Sequence, residues 1–137
     1  MKSPMTGPAV RMRRLRKNAQ VRRLFAESTV ELRNLVMPYF VVPGSGVLRE
    51  SSANSGLWQV TADRLADEVA PLVDAGVGGI MLFGVPDQKS DDGSMLEAQL
   101  LPTRRATEAL RQRFPDLVLF ADVCLCSFTS HGHCGIV

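Results

Sequence analysis

The chain has 137 residues, 45% of them hydrophobic and 22% charged, with a formal net charge of +2 and a mean hydropathy of +0.04. That length normally makes one domain with a real core, and the balance excludes a disordered chain. No apolar run reaches the roughly 18 residues of a membrane span, and no apolar segment precedes a cleavage site at the N-terminus. A cytoplasmic protein with no membrane partner is expected. The Arg-rich, acid-free start is the one feature shared with a transit peptide.

Charge is unevenly spread. Lys2, Arg11, Arg13, Arg14, Arg16, Lys17, Arg22 and Arg23 all precede the first acid, Glu27. The rest of the chain is therefore acidic. No aromatic is interleaved with these charges, so no nucleic-acid partner is expected. Docking on the acidic surface of another subunit is the expected role, ahead of a solvated tail.

Residues 1–10 contain two prolines and a glycine and are expected to be extended or disordered. A short helix is predicted near residues 19–26. Residues 35–42 (LVMPYFVV) read as a strand buried on both faces. Pro38 needs a strand end, a bulge or an unpaired position there. Residues 43–56 are polar and rich in Gly and Ser, hence a loop. Thr61 offers an N-cap, and Leu65, Val69, Leu72 and Val73 follow at helical spacing until Gly76 ends the helix. Pro71 predicts a kink or a distorted last turn.

Residues 77–85 (VGGIMLFGV) are a second buried strand, followed by a charged loop over 87–93. A second long helix is predicted from Gln99 or Thr103 to Phe114, with Ala106, Leu110 and Phe114 as its stripe. Residues 117–125 (LVLFADVCL) make the third strand. Tyr39 and Trp58 read as packing residues. Strands alternating with amphipathic helices indicate an α/β fold with a parallel sheet. No Gly-rich nucleotide fingerprint follows any strand.

All three cysteines lie within the segment DVCLCSFTSHGHCGIV, at Cys124, Cys126 and Cys134. An odd number argues against a disulfide framework and for a reducing compartment. On an extended strand Asp122, Cys124 and Cys126 share a face. Successive same-face positions are about 6.6 Å apart, further than sulfurs about 2.3 Å from one zinc can be. The chain must therefore bend near Cys126 and return to bring in Cys134. Three thiolates leave a fourth position, the mark of a catalytic site. His131 or His133 would close it as a structural site, and thiols without metal are the plainest alternative. Both histidines read first as groups that shape the loop around the ligands. Asp122 is either a capper or an active-site acid, since an apolar strand tolerates a carboxylate poorly without a partner.

The segment DVCLCSFTSHGHCGIV closely resembles the metal-binding segment of zinc-dependent porphobilinogen synthase, the delta-aminolevulinic acid dehydratase family. The resemblance runs back through FPDLVLFADV, MLFGVPDQKSDDGS, LVMPYFVVPG and RMRRLRKN. It implies a (βα)8 TIM barrel, of which this chain would be the N-terminal part of about three strands. Residues 1–30 would be a basic arm and residues 31–137 a partial barrel ending in the zinc-binding segment. The arm would embrace a neighbouring subunit in a homo-octamer. The activity implied is a hydro-lyase of tetrapyrrole and heme biosynthesis, condensing two 5-aminolevulinate molecules to porphobilinogen. Cys124, Cys126 and Cys134 would be the Zn2+ ligands and Asp122 an active-site acid. Whether Mg2+ acts at a separate site stays open.

Three stretches depart from the family pattern: SSANSG at 51–56, MLEAQLLPT at 95–103, and Ser127-Phe128. The family also forms Schiff bases through lysines on later strands. This chain has only Lys2, Lys17 and Lys89, two in the arm and one in a charged loop. Taken alone it is expected to be inactive. The competing reading is a non-catalytic zinc-binding or subunit-interaction fragment.

Overall fold

The two longest runs of β-branched and large apolar residues form the centre of a parallel sheet. β1 (Val36–Val41) pairs along its whole length with β4 (Gly79–Gly84), and β4 pairs in parallel with β5 (Leu119–Ala121). The computed structural model describes residues 13–52, 55–92 and 94–135. It divides into two compact units, Met1–Val30 and Glu31–Val137. The expectation for residues 1–10, and Lys2 with it, lies outside the described residues.

In the first unit a 3-10 turn (Arg14–Arg16) precedes α1 (Ala19–Leu24), shorter than the helix expected near 19–26. Asn18 caps α1 by accepting the Val21 amide at 2.9 Å. None of the described residues of this unit is buried, and Leu15, Leu24, Phe25 and Val30 are all more than half exposed.

In the second unit the sheet has five strands in the order β2-β3-β1-β4-β5. β2 (Leu48–Glu50) and β3 (Trp58–Val60) were not expected. They are three residues each, too short for a periodic signal, and β2 lies in the stretch read as loop. β2 runs antiparallel to β3, and β3 runs parallel to the second half of β1. That register accommodates Pro38. The Val42 amide bonds β3 at Val60, while the Val41 carbonyl accepts from Val85 beyond β4. Pro38, in step with Val42, therefore turns its missing N–H toward β3, which begins pairing only at Tyr39.

α2 (Ala62–Asp74) and α3 (Leu96–Arg113) cover one face of the sheet. Leu65 and Val69 from α2, and Ala106 and Leu110 from α3, are fully buried against Tyr39, Val41, Val60, Ile80 and Leu82. Each large aliphatic side chain so buried contributes about 1.5–3 kcal/mol. The Arg113–Asp67 ion pair between the helices has both partners about half exposed or more, so it adds little. The opposite face carries Pro38, Phe40, Met81 and Phe83, all half-buried, and Phe120, 43% exposed. The Phe40 and Phe83 rings lie 5.5 Å apart on it.

Three expectations need adjustment. Thr61 is the N-cap residue of α2, but its hydroxyl does not cap the helix. It is fully buried and exchanges hydrogen bonds with the Val47 backbone instead, accepting from the amide at 3.1 Å. α2 continues through Pro71, whose carbonyl still accepts from Ala75. It ends where Gly76 takes a left-handed φ of 84° and the Gly76 and Val77 amides return to Val73 and Leu72. α3 begins at Leu96, before Gln99, because Pro102 does not stop it. The carbonyl deprived of its partner belongs to Ala98, an exposed position open to water.

The β2–β3 hairpin is tied by Glu50, whose carboxylate accepts from the Gly56 amide at 2.5 Å and the Ser55 hydroxyl at 3.1 Å. The Gly56 amide, then the Ser55 hydroxyl, hold this carboxyl below its ordinary value. Its contribution is thus complete above the ordinary carboxylate range and is lost as pH falls through the lowered value. The Gly56 amide resonance should shift on acidification with a midpoint below that of a free glutamate. A midpoint at or above the free value would sink this account.

Candidate metal centre

Parallel strands joined by helices present their C-terminal ends along one edge, and the loops there carry the candidate site. Two segments meet at that edge: the β4–α3 connection over residues 85–95, and the chain leaving β5 after Ala121. α3 reflects the change of environment. Its buried stripe is apolar at Ala106 and Leu110 and polar at Gln99 and Thr103, nearest the loops. Gln99 donates its side-chain amide to the Gln88 carbonyl at 2.7 Å, pinning the β4–α3 loop.

The third strand expected over 117–125 is shorter than that. β5 stops at Ala121, and the Asp122 amide makes the last ladder-like bond, to Leu82. The Asp122 carboxylate then accepts from the Cys124 amide at 3.3 Å. This local contact competes with extension of the strand. The chain then bends at Leu125 and turns over residues 126–128, near Cys126 as expected, where the Phe128 amide bonds the Leu125 carbonyl at 2.9 Å. Val123 is 90% exposed and Leu125 37%. Their apolar character does not extend the strand, whose ladder with β4 ends at Ala121.

The bend brings the three thiols together. The ligand atoms of Cys124, Cys126 and Cys134 all lie within 4.8 Å of one another. The sulfur of Cys124 is 2.8 Å from that of Cys126 and 3.1 Å from that of Cys134. All three are free; Cys124 and Cys126 are half-buried and Cys134 is exposed. Among the described residues no other histidine, cysteine or carboxylate joins this group, and it is the one such group of three.

The histidines lie beside the thiols rather than among them. Their rings stack at 5.8 Å, and His131 Nδ1 accepts from the His133 amide at 3.2 Å. That bond leaves the proton of neutral His131 on Nε2, which faces Asp91 at 3.9 Å. Asp122 is exposed at the end of β5, and the Cys124 amide is the contact its carboxylate makes.

What holds the loop between Cys126 and Cys134 is Phe128, which stands out in the sequence only as a departure from the family pattern, with Thr129 and Ser130, which do not stand out at all. Phe128 is buried, and its ring sits over Gly84 at the end of β4. Thr129 donates its hydroxyl to the His133 carbonyl at 2.9 Å, closing the turn. Ser130 donates its amide and hydroxyl to Asp91. The available signal is a buried-type aromatic and two hydroxyls between thiols; Thr129 pairs locally, whereas the partners of Phe128 and Ser130 are distant in sequence.

A cavity of about 160 Å3 lies beneath this loop, lined by Ser90, Leu96, Gln99, Leu125 and Phe128 among others. It is smaller than the 300–1,000 Å3 usual for small-molecule pockets. A larger cleft of about 460 Å3, beside Gly44, Asp63, Pro102 and Arg105, contains none of the expected site residues.

The family model for delta-aminolevulinic acid dehydratase matches residues 9–137. The dehydratase of Mycobacterium leprae is 44% identical over 134 residues, covering 95% of this chain and 40% of that protein. The dehydratase of Synechocystis is 38% identical over 128 residues, covering 93% and 39%. A crystal structure of delta-aminolevulinic acid dehydratase (porphobilinogen synthase) from Toxoplasma gondii, in complex with the reaction product porphobilinogen, superposes with a TM-score of 0.77. Its identity is 36%, over 93% of this chain and 37% of that one. The chain thus spans about two-fifths of the length of the curated relatives it matches.

Gly84 is the packing point between strand and thiol loop. A Cβ there would lie 2.8 Å from Thr103 Oγ1 and 3.0 Å from the Phe128 ring. Overpacking of this kind costs about 1–3 kcal/mol. Gly84→Ala should lower stability to denaturant by that order and speed thiol modification of Cys126. An unchanged midpoint with unchanged thiol reactivity would show that Phe128 does not anchor the loop.

Proposed function

Since the chain belongs to the delta-aminolevulinic acid dehydratase family, we propose that it supplies the metal-binding part of a porphobilinogen synthase, the hydro-lyase that condenses two 5-aminolevulinate molecules. The observation that carries this reading is the convergence of three free thiols at the C-terminal end of a parallel strand. Three sulfur donors, with no fourth ligand beside them among the described residues, suit zinc with one position left for substrate or water.

The donor set fits the ion. Sulfurs about 2.3 Å from a tetrahedral zinc stand about 3.8 Å from one another. The 2.8 and 3.1 Å separations would open by up to about 1 Å to reach that spacing. Cys124, Cys126 and Cys134 would hold the ion, which when bound acts as a Lewis acid toward a substrate oxygen. Asp122 presents a carboxylate two residues before the first thiol, exposed on the open side of β5, where it would accept hydrogen bonds from a substrate amine or hydroxyl. His131 and His133 would shape the loop around the ligands.

The rest of the reading concerns the whole protein. The second face of the sheet is apolar and only partly buried, and completion of a (βα)8 barrel would cover it. The basic first unit, with no buried residue of its own among those described, suits an arm laid on a neighbouring subunit in a homo-oligomer, the octamer that the resemblance implies. Covalent capture of substrate is not assigned to this chain. Of its three lysines, Lys89 is exposed in the β4–α3 loop rather than enclosed in an apolar pocket of the kind that activates a lysine for carbonyl attack.

Two measurements test this. Cobalt titration should give one sulfur-to-metal charge-transfer band per chain, lost on Cys124→Ser or Cys126→Ser. Borohydride treatment with 5-aminolevulinate should leave Lys2, Lys17 and Lys89 unlabelled. Absence of the band would overturn the metal assignment, and labelling of any of these lysines would overturn the division of labour.

A further inference from the structure

The proposed metal loop is tied at its midpoint to a different loop. Ser130 stands four residues after Cys126 and four before Cys134. Its amide donates to Asp91 Oδ1 at 2.9 Å, and its hydroxyl lies 2.6 and 2.7 Å from the two carboxylate oxygens. The Ser90 amide adds a backbone bond to the Phe128 carbonyl at 3.0 Å. These contacts join segments 39 residues apart in sequence. Both come from the C-terminal edge of the sheet.

We infer that Asp91 is a positioning residue for the metal centre: it holds Ser130 so that Cys134 returns to Cys124 and Cys126 before any ion arrives. The inference rests on the metal reading proposed above. The physical argument is one of ordering. Seven residues separate Cys126 from Cys134, and Gly132 lies among them with a left-handed φ of 74°. A free loop of this kind pays conformational entropy when it closes on a metal. Fixing its centre divides it into two short spans, each ending in a ligand. Across the tether point the Thr129 hydroxyl already bonds the His133 carbonyl. Cys134 is the exposed member of the cluster and the one approached through the loop, so its placement depends most on the tether.

Asp91 suits the task because one carboxylate takes both the amide and the hydroxyl of a single residue, fixing its orientation as well as its distance. Charge-assisted bonds of this kind are stronger than neutral ones. Asp91 does not reach the thiols; it acts through Ser130. Its own anchorage comes from the β4–α3 loop, pinned in turn by Gln99 at Gln88. The order of the metal loop is therefore borrowed from α3.

The test uses the full chain and cobalt, read by the sulfur-to-metal charge-transfer band, with zinc competition for affinity. Asp91 and Ser130 are both exposed, so their substitution spares the core. Asp91→Ala should weaken metal binding about 10- to 100-fold, the usual cost of removing a group that supports a ligand. Asp91→Asn, which keeps an acceptor for the Ser130 amide, should lose less. Ser130→Ala should weaken binding, and the double alanine variant should be no worse than Asp91→Ala alone. Without metal, Asp91→Ala should speed amide exchange over residues 126–134. A parent that binds cobalt and an Asp91→Ala variant of equal affinity and equal exchange would overturn this inference alone. A parent with no band would overturn the metal reading along with it.

Discussion

Parallel pairing of β1, β4 and β5 is the constraint from which the rest of the second unit follows. Strands that run the same way must be joined by crossovers, and here α2 and α3 supply them on one face. The crossovers send the C-terminal ends of β1, β4 and β5 to a common edge. The β4–α3 loop and the segment after β5 therefore meet in space although Asp91 and Ser130 are 39 residues apart. Without that pairing the thiols would sit on a loop with no neighbour to order it.

Burial is graded along α3 to serve both ends of this arrangement. Ala106 and Leu110 close the core against the sheet, where dispersion and apolar transfer dominate. One and two turns earlier the same stripe places Thr103 and Gln99 under the loops. Gln99 spends one donor on the Gln88 carbonyl, so an element held by the core also orders a surface segment. Gly84 completes the link from the strand side, since only a residue without Cβ admits both Thr103 and the Phe128 ring.

The elements that were legible in the sequence are those whose side chains obey one environment throughout. β1, β4 and α2 each keep a single pattern, and the structure places them within a residue or two of expectation. β5 was overdrawn because Val123 and Leu125 are apolar yet exposed, belonging to the thiol loop rather than the ladder. α3 begins earlier than its apolar stripe predicts, and Pro102 is tolerated inside it because the Ala98 carbonyl left without a partner is at an exposed position. β2 and β3 carry three residues each and borrow their order from β1. Convergence of the thiols was legible from spacing alone. The partners of Phe128 and Ser130 were not, because nothing local pairs a buried aromatic with a glycine one strand away or a serine with a distant aspartate.

The three thiols are not equally placed to adjust when the cluster opens around an ion. Cys124 is bound to the end of β5 through the Asp122 carboxylate, and Asp122 is itself bonded to β4. Cys126 lies two residues from Phe128, which is locked against Gly84. Cys134 stands between Gly132 and Gly135, both at left-handed φ, where the backbone turns with least steric resistance. Opening the 3.1 Å separation from Cys124 therefore falls on Cys134, which moves within the span that the Ser130 tether allows and, being exposed, without cost in the core. Opening the 2.8 Å separation between Cys124 and Cys126 requires a shift of one of these two anchored thiols.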